Sequence, residues 1–144
     1  MINILKNEKQ ENKTISKITG LVVHGRKEGR KIGFPTANIK IEEGFNSQNS
    51  LKNIPLGIYA SKIKIKDIWY ICATSYGTAP TYNFWEITLE SHILDFDMDI
   101  YGQIVELKLT KYIRPIVKFE NLPTLIDQIK IDCQSVRNVF KVTN

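Results

Sequence analysis

The sequence predicts a mainly β fold, a closed six-stranded antiparallel barrel followed by one long amphipathic helix. From Ile18 to Ile113, short apolar or alternating runs are interrupted by glycine, proline and asparagine, which is typical of strands joined by tight connections. After Pro115 the apolar residues recur at helical spacing instead. With 144 residues, the chain is long enough for one domain with a substantial core.

Six runs are predicted to be strands, and six strands are enough to close a barrel. The last is the clearest, because apolar Val105, Leu107 and Leu109 alternate with polar residues, as a strand with one buried face requires. The predicted strands are Thr19–His24, Ala37–Ile41, Gly57–Ile65, Trp69–Thr74, Thr88–Leu94 and Ile104–Thr110.

The C-terminal segment predicts a helix with one apolar face. Asn121 is placed to cap its first turn, and Pro123 is tolerated there because the first N–H groups of a helix have no intrahelical partner. The apolar positions that define the face are Leu122, Leu125, Ile126, Ile129, Cys133, Val136 and Phe140.

Two polar segments stand apart from the barrel pattern. Residues 1–17 contain few apolar side chains and are predicted to be a flexible tail, so that residues 18–144 form the domain. The segment Glu42–Asn53 is rich in asparagine, serine and glycine. We predict that it is a flexible loop that folds over a ligand.

Charge and cysteine content narrow the environment and the partners. Twenty Lys and Arg against 15 Asp and Glu give a net charge of +5, which suits an anionic partner without identifying it. Cys72 and Cys133 match neither a metal-ligand spacing nor a disulfide framework. No run approaches the roughly 20 apolar residues that span a bilayer. We therefore expect a cytoplasmic protein with no membrane partner.

The strongest local signal is the loop from Gly25 to Gly33, which brings glycines and basic side chains together between two strands. Glycine lets backbone N–H groups face an anion, and Lys31 can add a charge-assisted bond to a phosphate oxygen. With Gly29, these residues are candidate phosphate ligands. The loop is neither a Walker A loop nor a dinucleotide fingerprint, because no helix is expected after it. A solvated turn is the alternative.

The residues that follow this loop resemble the motif of the riboflavin kinase family. The resemblance continues in the same order along the chain from about Ile18 to Phe140. It implies a riboflavin kinase-like Greek-key barrel. The matching segments are Gly33-Phe34-Pro35-Thr36-Ala37-Asn38, Leu56-Gly57-Ile58-Tyr59-Ala60, Ser75-Tyr76-Gly77-Thr78-Ala79-Pro80-Thr81-Tyr82, Leu89-Glu90-Ser91-His92-Ile93-Leu94-Asp95-Phe96 and Asp99-Ile100-Tyr101-Gly102.

The resemblance implies roles on the nucleotide side of a site. Phe34 and Pro35 would join the glycine loop in binding ATP, while Thr36 and Asn38 would supply oxygen ligands to Mg²⁺ and contact the phosphates. Glu90 would be the catalytic general base. His92, two residues further along, is expected to be a packed or hydrogen-bonded histidine. Without the resemblance, the usual interpretation of a glutamate on a strand is an exposed side chain with no catalytic role.

The resemblance also implies a flavin side, formed by Tyr101, Arg114, Lys118 and Phe119. The Arg114 guanidinium could stack on the isoalloxazine ring or meet the new phosphate, and a surface ion pair is the alternative. Two positions depart from the family pattern, where this chain has Ala79 and Ile116. Both are expected near the flavin.

The sequence therefore predicts a riboflavin kinase that uses Mg²⁺ and ATP to convert riboflavin to FMN. We expect a monomer without a nucleic-acid partner. Bacterial members of the family commonly carry an adenylyltransferase domain ahead of the kinase domain, whereas fewer than twenty polar residues precede the first strand here, so we also expect no FAD synthesis. A stand-alone kinase is favoured, and one domain of a longer protein is the alternative. A non-catalytic flavin-binding module is one alternative. A barrel that binds single-stranded nucleic acid is another, suggested by its charge and by aromatic residues such as Trp69 and Trp85.

Overall fold

The predicted strands form a closed antiparallel barrel in the computed structural model, which describes residues 13–41 and 51–142. A C-terminal helix packs against it, and a turn of 3₁₀ helix spans Pro80–Tyr82. The strands are β1 (Ser16–Val23), β2 (Ala37–Ile39), β3 (Gly57–Ile65), β4 (Ile68–Ala79), β5 (Phe84–Ile93) and β6 (Ile104–Arg114), and the helices are α1 (Glu28–Lys31) and α2 (Leu122–Val139).

Around the barrel the strands follow the order β1-β2-β5-β4-β3-β6, and β6 pairs with β1 to close it. β3, β4 and β5 are successive hairpins. The turn from β3 to β4 consists of Lys66 and Asp67, both with positive φ, which matches the twist of the flanking strands. β2 instead lies between β1 and β5, so the chain crosses the barrel between β2 and β3. The predicted Greek-key barrel is confirmed.

Alternation along the strands builds the barrel interior. On β6, Val105, Leu107 and Leu109 are almost completely buried, as their spacing predicts. β3 differs because nearly all of its residues are buried. One of its faces lines the interior, and Ala60 on the other packs beneath α2. The helix therefore converts part of the outer barrel surface into a second apolar core.

Helix α2 has the predicted start and the predicted buried face. The side chain of Asn121 accepts a hydrogen bond from the Thr124 N–H at 2.9 Å, which satisfies one of the unpaired donors of the first turn. Val136 and Phe140 then pack against Ile71 and Leu94 of the barrel. This contact attaches the helix to β4 and to the end of β5.

The β4–β5 hairpin extends beyond the predicted strands. β4 continues to Ala79 rather than Thr74, and β5 begins at Phe84 rather than Thr88. The extension carries exposed apolar residues, including Trp85, which is 63% exposed. Backbone pairing rather than burial maintains this part of the hairpin, so it lacks the alternation by which strands are predicted.

The structure also bears on the glycine loop, the two polar segments and the cysteines. The loop contains the short helix α1, where no helix was expected. β1 begins at Ser16, and residues 1–12 of the predicted tail lie outside the described residues. So do residues 42–50 of the predicted lid. Cys72 and Cys133 are free thiols. No helix in the described part of the chain is long and apolar enough to cross a membrane.

The barrel core should be sensitive to loss of volume at β6. Leu107→Ala removes a side chain with no exposed surface and should lower the free energy of unfolding by about 2–5 kcal/mol, because it leaves a cavity. Ile104→Ala on the same strand is the control, since Ile104 is 59% exposed and should change stability by less than about 1 kcal/mol. Urea unfolding measures both values, and equal losses would contradict the burial assigned to β6.

Candidate active site

Strand pairing places Glu90 between two neighbouring strands. Glu90 of β5 lies opposite Asn38 of β2 on one side and opposite Ser75 of β4 on the other. Its side chain is 16% exposed, so it is neither a surface glutamate nor sealed inside the core. Directly opposed residues in a sheet lie on the same face. The register therefore brings the predicted base and a predicted metal ligand to one face.

Both carboxylate oxygens of Glu90 accept hydrogen bonds from hydroxyl groups. Thr36 Oγ1 donates to Oε1 at 2.9 Å, and Thr88 Oγ1 donates to Oε2 at 2.8 Å. Arg26 Nη2 lies 3.6 Å from Oε2, which is an ion-pair distance rather than a hydrogen bond. These contacts orient the carboxylate with two donors and a nearby positive charge.

The glycine loop depends on close approaches that a side chain would prevent. A Cβ on Gly25 would lie 2.5 Å from the Asn38 amide nitrogen, and one on Gly29 would lie 2.2 Å from the Phe34 carbonyl oxygen. The Phe34 N–H also donates to the Gly29 carbonyl at 2.7 Å. Glycine at both positions therefore allows the loop to fold back onto the start of β2.

The predicted phosphate ligands do not all lie together. Gly29, Phe34 and Thr36 line the same cavity as Glu90. Lys31 instead pairs with Glu28 at 3.1 Å, and its side chain is 71% exposed. Gly25, Gly33, Pro35 and Asn38 contribute no surface to the cavity, although Asn38 is paired opposite Glu90 in the sheet.

His92 contacts the segment that carries Thr36. Its Nδ1 lies 2.8 Å from the Pro35 carbonyl oxygen, and its ring meets that of Phe34 edge-on, with centroids 5.3 Å apart. Burial lowers the pKa of His92 from its ordinary value of 6.5, although the Pro35 carbonyl and Asp95 oppose that change. The neutral ring can donate its Nδ1 proton to Pro35. The packed, hydrogen-bonded histidine expected from the sequence is the one observed.

Two of the predicted flavin contacts line the Glu90 cavity, namely Arg114 and Phe119. Arg114 is engaged within the protein, because its Nε and Nη2 donate to the two carboxylate oxygens of Asp132 at 2.8 and 2.7 Å. Its Nη1 donates to the Pro115 carbonyl at 3.0 Å. The pair is largely buried, so it is not the surface ion pair considered as an alternative.

The other two predicted flavin contacts lie elsewhere. Lys118 is exposed and does not line the cavity. The ring of Tyr101 stacks on that of His24, with ring centroids 3.6 Å apart. His24 immediately precedes Gly25 in the chain. Tyr101 is therefore next to the glycine loop rather than beside Arg114.

The cavity between the barrel and α2 brings these groups together. Its volume of about 180 Å³ is more than ten times the roughly 15 Å³ that one water molecule requires. One wall is polar and carries Arg26, Thr36 and Glu90. The rest of the lining is mostly apolar and includes Ile116 and Phe119. An apolar pocket with a few converging polar groups is the usual form of a small-molecule site.

Sequence reasoning missed Arg26, Thr88 and Asp132. Thr88 precedes Glu90 by two residues on a strand, so alternation alone would place both on one face. Asp132 has a weaker signal, since it adjoins Cys133 on the apolar side of the predicted helix. Arg26 was one of several basic residues in the loop, and nothing local separates it from the others.

Comparison with known proteins confirms the resemblance. Residues 13–140 match the family model described as Flavokinase, riboflavin kinase. The bifunctional riboflavin kinase/FMN adenylyltransferase of Listeria monocytogenes is 38% identical over 123 residues, which are 84% of this chain and 37% of that relative. The class is thus that of small-molecule kinases, and the chain belongs to the riboflavin kinase family. It spans less than two fifths of the Listeria relative's length.

Solved structures share this fold, and one of them is described as a riboflavin kinase. The riboflavin kinase of Trypanosoma brucei superposes with a TM-score of 0.63 and 27% identity, over 87% of this chain and 79% of that chain. A Streptococcus pneumoniae protein described as a macrolide-efflux protein gives a TM-score of 0.72 and 34% identity, over 85% of this chain and 38% of that chain. The barrel and its C-terminal helix are therefore a known arrangement.

Removing the partner of Arg114 should destabilise the attachment of α2. Asp132→Asn leaves a largely buried guanidinium without its carboxylate and should lower the free energy of unfolding by about 1.5–3 kcal/mol. Asp127→Asn is the control, because Asp127 is exposed on the same helix and should change stability by at most about 0.5 kcal/mol. Chemical denaturation compares the unfolding free energies of the two variants. Similar small changes in both would contradict a structural role for the paired hydrogen bonds between Arg114 and Asp132.

The lowered pKa of His92 makes stability depend on pH. As the pH falls below about 6.5, the unfolded chain binds a proton at this histidine before the folded protein does, so stability decreases toward lower pH. The unfolding free energy of the natural protein should therefore fall more steeply between pH 7.5 and 5.5 than that of His92→Gln. Urea titrations at the two pH values measure the difference, and parallel losses would show that His92 titrates alike in both states.

Proposed function

We propose that this chain transfers the γ-phosphate of ATP to the ribityl 5′-hydroxyl of riboflavin and releases FMN and ADP. The observation that carries the proposal is the Glu90 carboxylate, held by Thr36 and Thr88 on the polar wall of the cavity. Membership of the riboflavin kinase family supports it. The bifunctional name of the Listeria relative covers a longer protein, and only its kinase reaction is proposed for this chain.

The proposed reaction needs a base for one proton. As the ribityl oxygen forms its bond to the γ-phosphorus, the bond from that phosphorus to the bridging oxygen of ADP breaks, and Glu90 accepts the hydroxyl proton. The hydrogen bonds from Thr36 and Thr88 orient the carboxylate before substrate arrives. Phosphoryl transfer requires mainly positioning and charge stabilisation. A partly buried, oriented carboxylate fits that requirement.

We further propose that the nucleotide binds as its Mg²⁺ complex at Thr36 and Asn38. A hydroxyl, an amide and a nearby carboxylate form a set of hard oxygen donors, which suits this ion. The described residues contain no cluster of three His, Cys, Asp or Glu that could hold a metal. A cation at this site would therefore depend on phosphate and water oxygens for most of its ligands, as Mg²⁺ bound to a nucleotide does. The ion would neutralise charge on the phosphates.

The polar and apolar parts of the cavity lining suggest how the substrates are arranged. The glycine loop, with Tyr101 stacked beside it, lies on the side proposed for the nucleotide. The apolar wall with Phe119 and Ile116 offers a surface for the isoalloxazine ring. Assignment of Tyr101 and Lys118 to the flavin stays a prediction, and their positions favour it less than that of Phe119. The monomeric state and the cytoplasmic location also stay predictions.

Glu90→Gln should separate chemistry from binding. The amide keeps the size of the side chain but cannot accept the proton, so kcat should fall by a factor on the order of 10² or more. Riboflavin affinity should stay within about threefold. FMN formation from riboflavin and Mg-ATP measures turnover, and quenching of flavin fluorescence measures binding.

Glu86→Gln is the matched control for this experiment. Glu86 lies on the same strand, four residues before Glu90, but it is exposed and outside the cavity. Its variant should keep full turnover. If Glu90→Gln turned over as fast as this control, Glu90 would not be the base. Flavin binding without turnover in the natural protein would favour the non-catalytic module instead.

A further inference from the structure

Arg26 occupies a distinctive position in the cavity. It lies in the glycine loop, directly after Gly25, and its side chain reaches the polar wall that carries Glu90. The guanidinium carbon lies 4.3 Å from the ring centroid of Phe84 and 5.5 Å from that of Tyr82. Cation–π contact with two aromatic rings restricts the guanidinium before any ligand arrives.

Part of the hydrogen-bonding capacity of Arg26 is unused. Its Nε and Nη1 atoms are buried and have no hydrogen-bond partner among the described residues. The third nitrogen, Nη2, meets Glu90 only at 3.6 Å. The buried hydroxyl of Tyr82 also has no hydrogen-bond partner in this part of the protein. Buried donors are normally satisfied, so unpaired ones on a cavity wall point to a ligand that accepts hydrogen bonds.

Arg114, the other arginine on the cavity wall, has no unpaired guanidinium nitrogen. Each of its three guanidinium nitrogens donates to Asp132 or to the Pro115 carbonyl. Lys31 and Lys118, which the sequence put forward as ligands, do not line the cavity. Among the described residues, Arg26 is therefore the cation whose donors remain available beside Glu90.

We propose that Arg26 is a catalytic residue that binds the phosphoryl group during its transfer to riboflavin. This role rests on the proposed kinase function. While the ribityl oxygen–phosphorus bond forms and the bond to the ADP oxygen breaks, negative charge is carried by the oxygens of the transferred group. The Arg26 fork donates to these oxygens, and Glu90 takes the hydroxyl proton. A preorganised cation aimed at such charge stabilises it strongly.

The same contact persists in the product, because FMN carries the phosphoryl group and riboflavin does not. Arg26→Gln should therefore weaken FMN binding at least tenfold and leave riboflavin binding within about twofold. Quenching of flavin fluorescence, without nucleotide, measures both dissociation constants. In turnover, kcat should fall by a factor on the order of 10² while KM for riboflavin stays within threefold.

Two further variants make the test specific. Lys111→Gln removes one positive charge from an exposed position outside the cavity and should change neither dissociation constant. Arg26→Lys keeps the positive charge but removes the planar guanidinium with its paired N–H donors. It replaces the glutamine variant in the test if that variant folds poorly. It should weaken FMN binding relative to riboflavin binding by at least threefold.

A change in FMN and riboflavin binding by the same factor, or no change in either, would overturn this role for Arg26. Failure of the proposed function would look different. In that case the natural protein itself would bind neither flavin or form no FMN, and the role of Arg26 would be overturned with it.

Discussion

The pairing of β2 with β5 is the constraint on which the candidate site depends. β2 has only three residues, yet its register sets Asn38 opposite Glu90 and brings Thr36, which directly precedes the strand, to the carboxylate. A shift of one residue would turn Glu90 to the other face of the sheet. His92 supports the same register from β5 through its contact with the Pro35 carbonyl. The site is therefore defined by a short strand that several side chains hold in place.

The C-terminal helix α2 adds apolar side chains to the cavity beside this polar part of the site. Its buried face completes the second core around Ala60 and Ile71, while Leu125 and Ile129 line the cavity. The fork between Arg114 and Asp132 connects the last residue of β6 to the helix. Because this fork uses the Arg114 donors, the two cavity arginines differ in character. Arg114 connects the helix to the barrel, and Arg26 faces the proposed phosphoryl transfer.

The two departures from the family pattern both belong to the cavity wall. Ala79 lies at the end of β4, and Ile116 follows β6 by two residues. A Cβ on Gly77 would lie 3.0 Å from Ile116 Cγ1, so the isoleucine packs closely over a backbone that has no side chain at that point. An apolar side chain at position 116 fits this contact. These positions alter the wall proposed for the flavin and leave the Thr36–Glu90 contact intact.

Local pattern was enough to predict the barrel, the helix and its Asn121 cap, because alternation and helical spacing record which face of each element is buried. The family motif also pointed to Glu90 and Thr36. The sequence did not predict the long β4–β5 hairpin, the Arg114–Asp132 fork or the place of Arg26. These features depend on contacts between distant residues, and neither backbone pairing on an exposed hairpin nor the choice among basic loop residues leaves a periodic signal. Only the closed barrel decides which of those side chains meet.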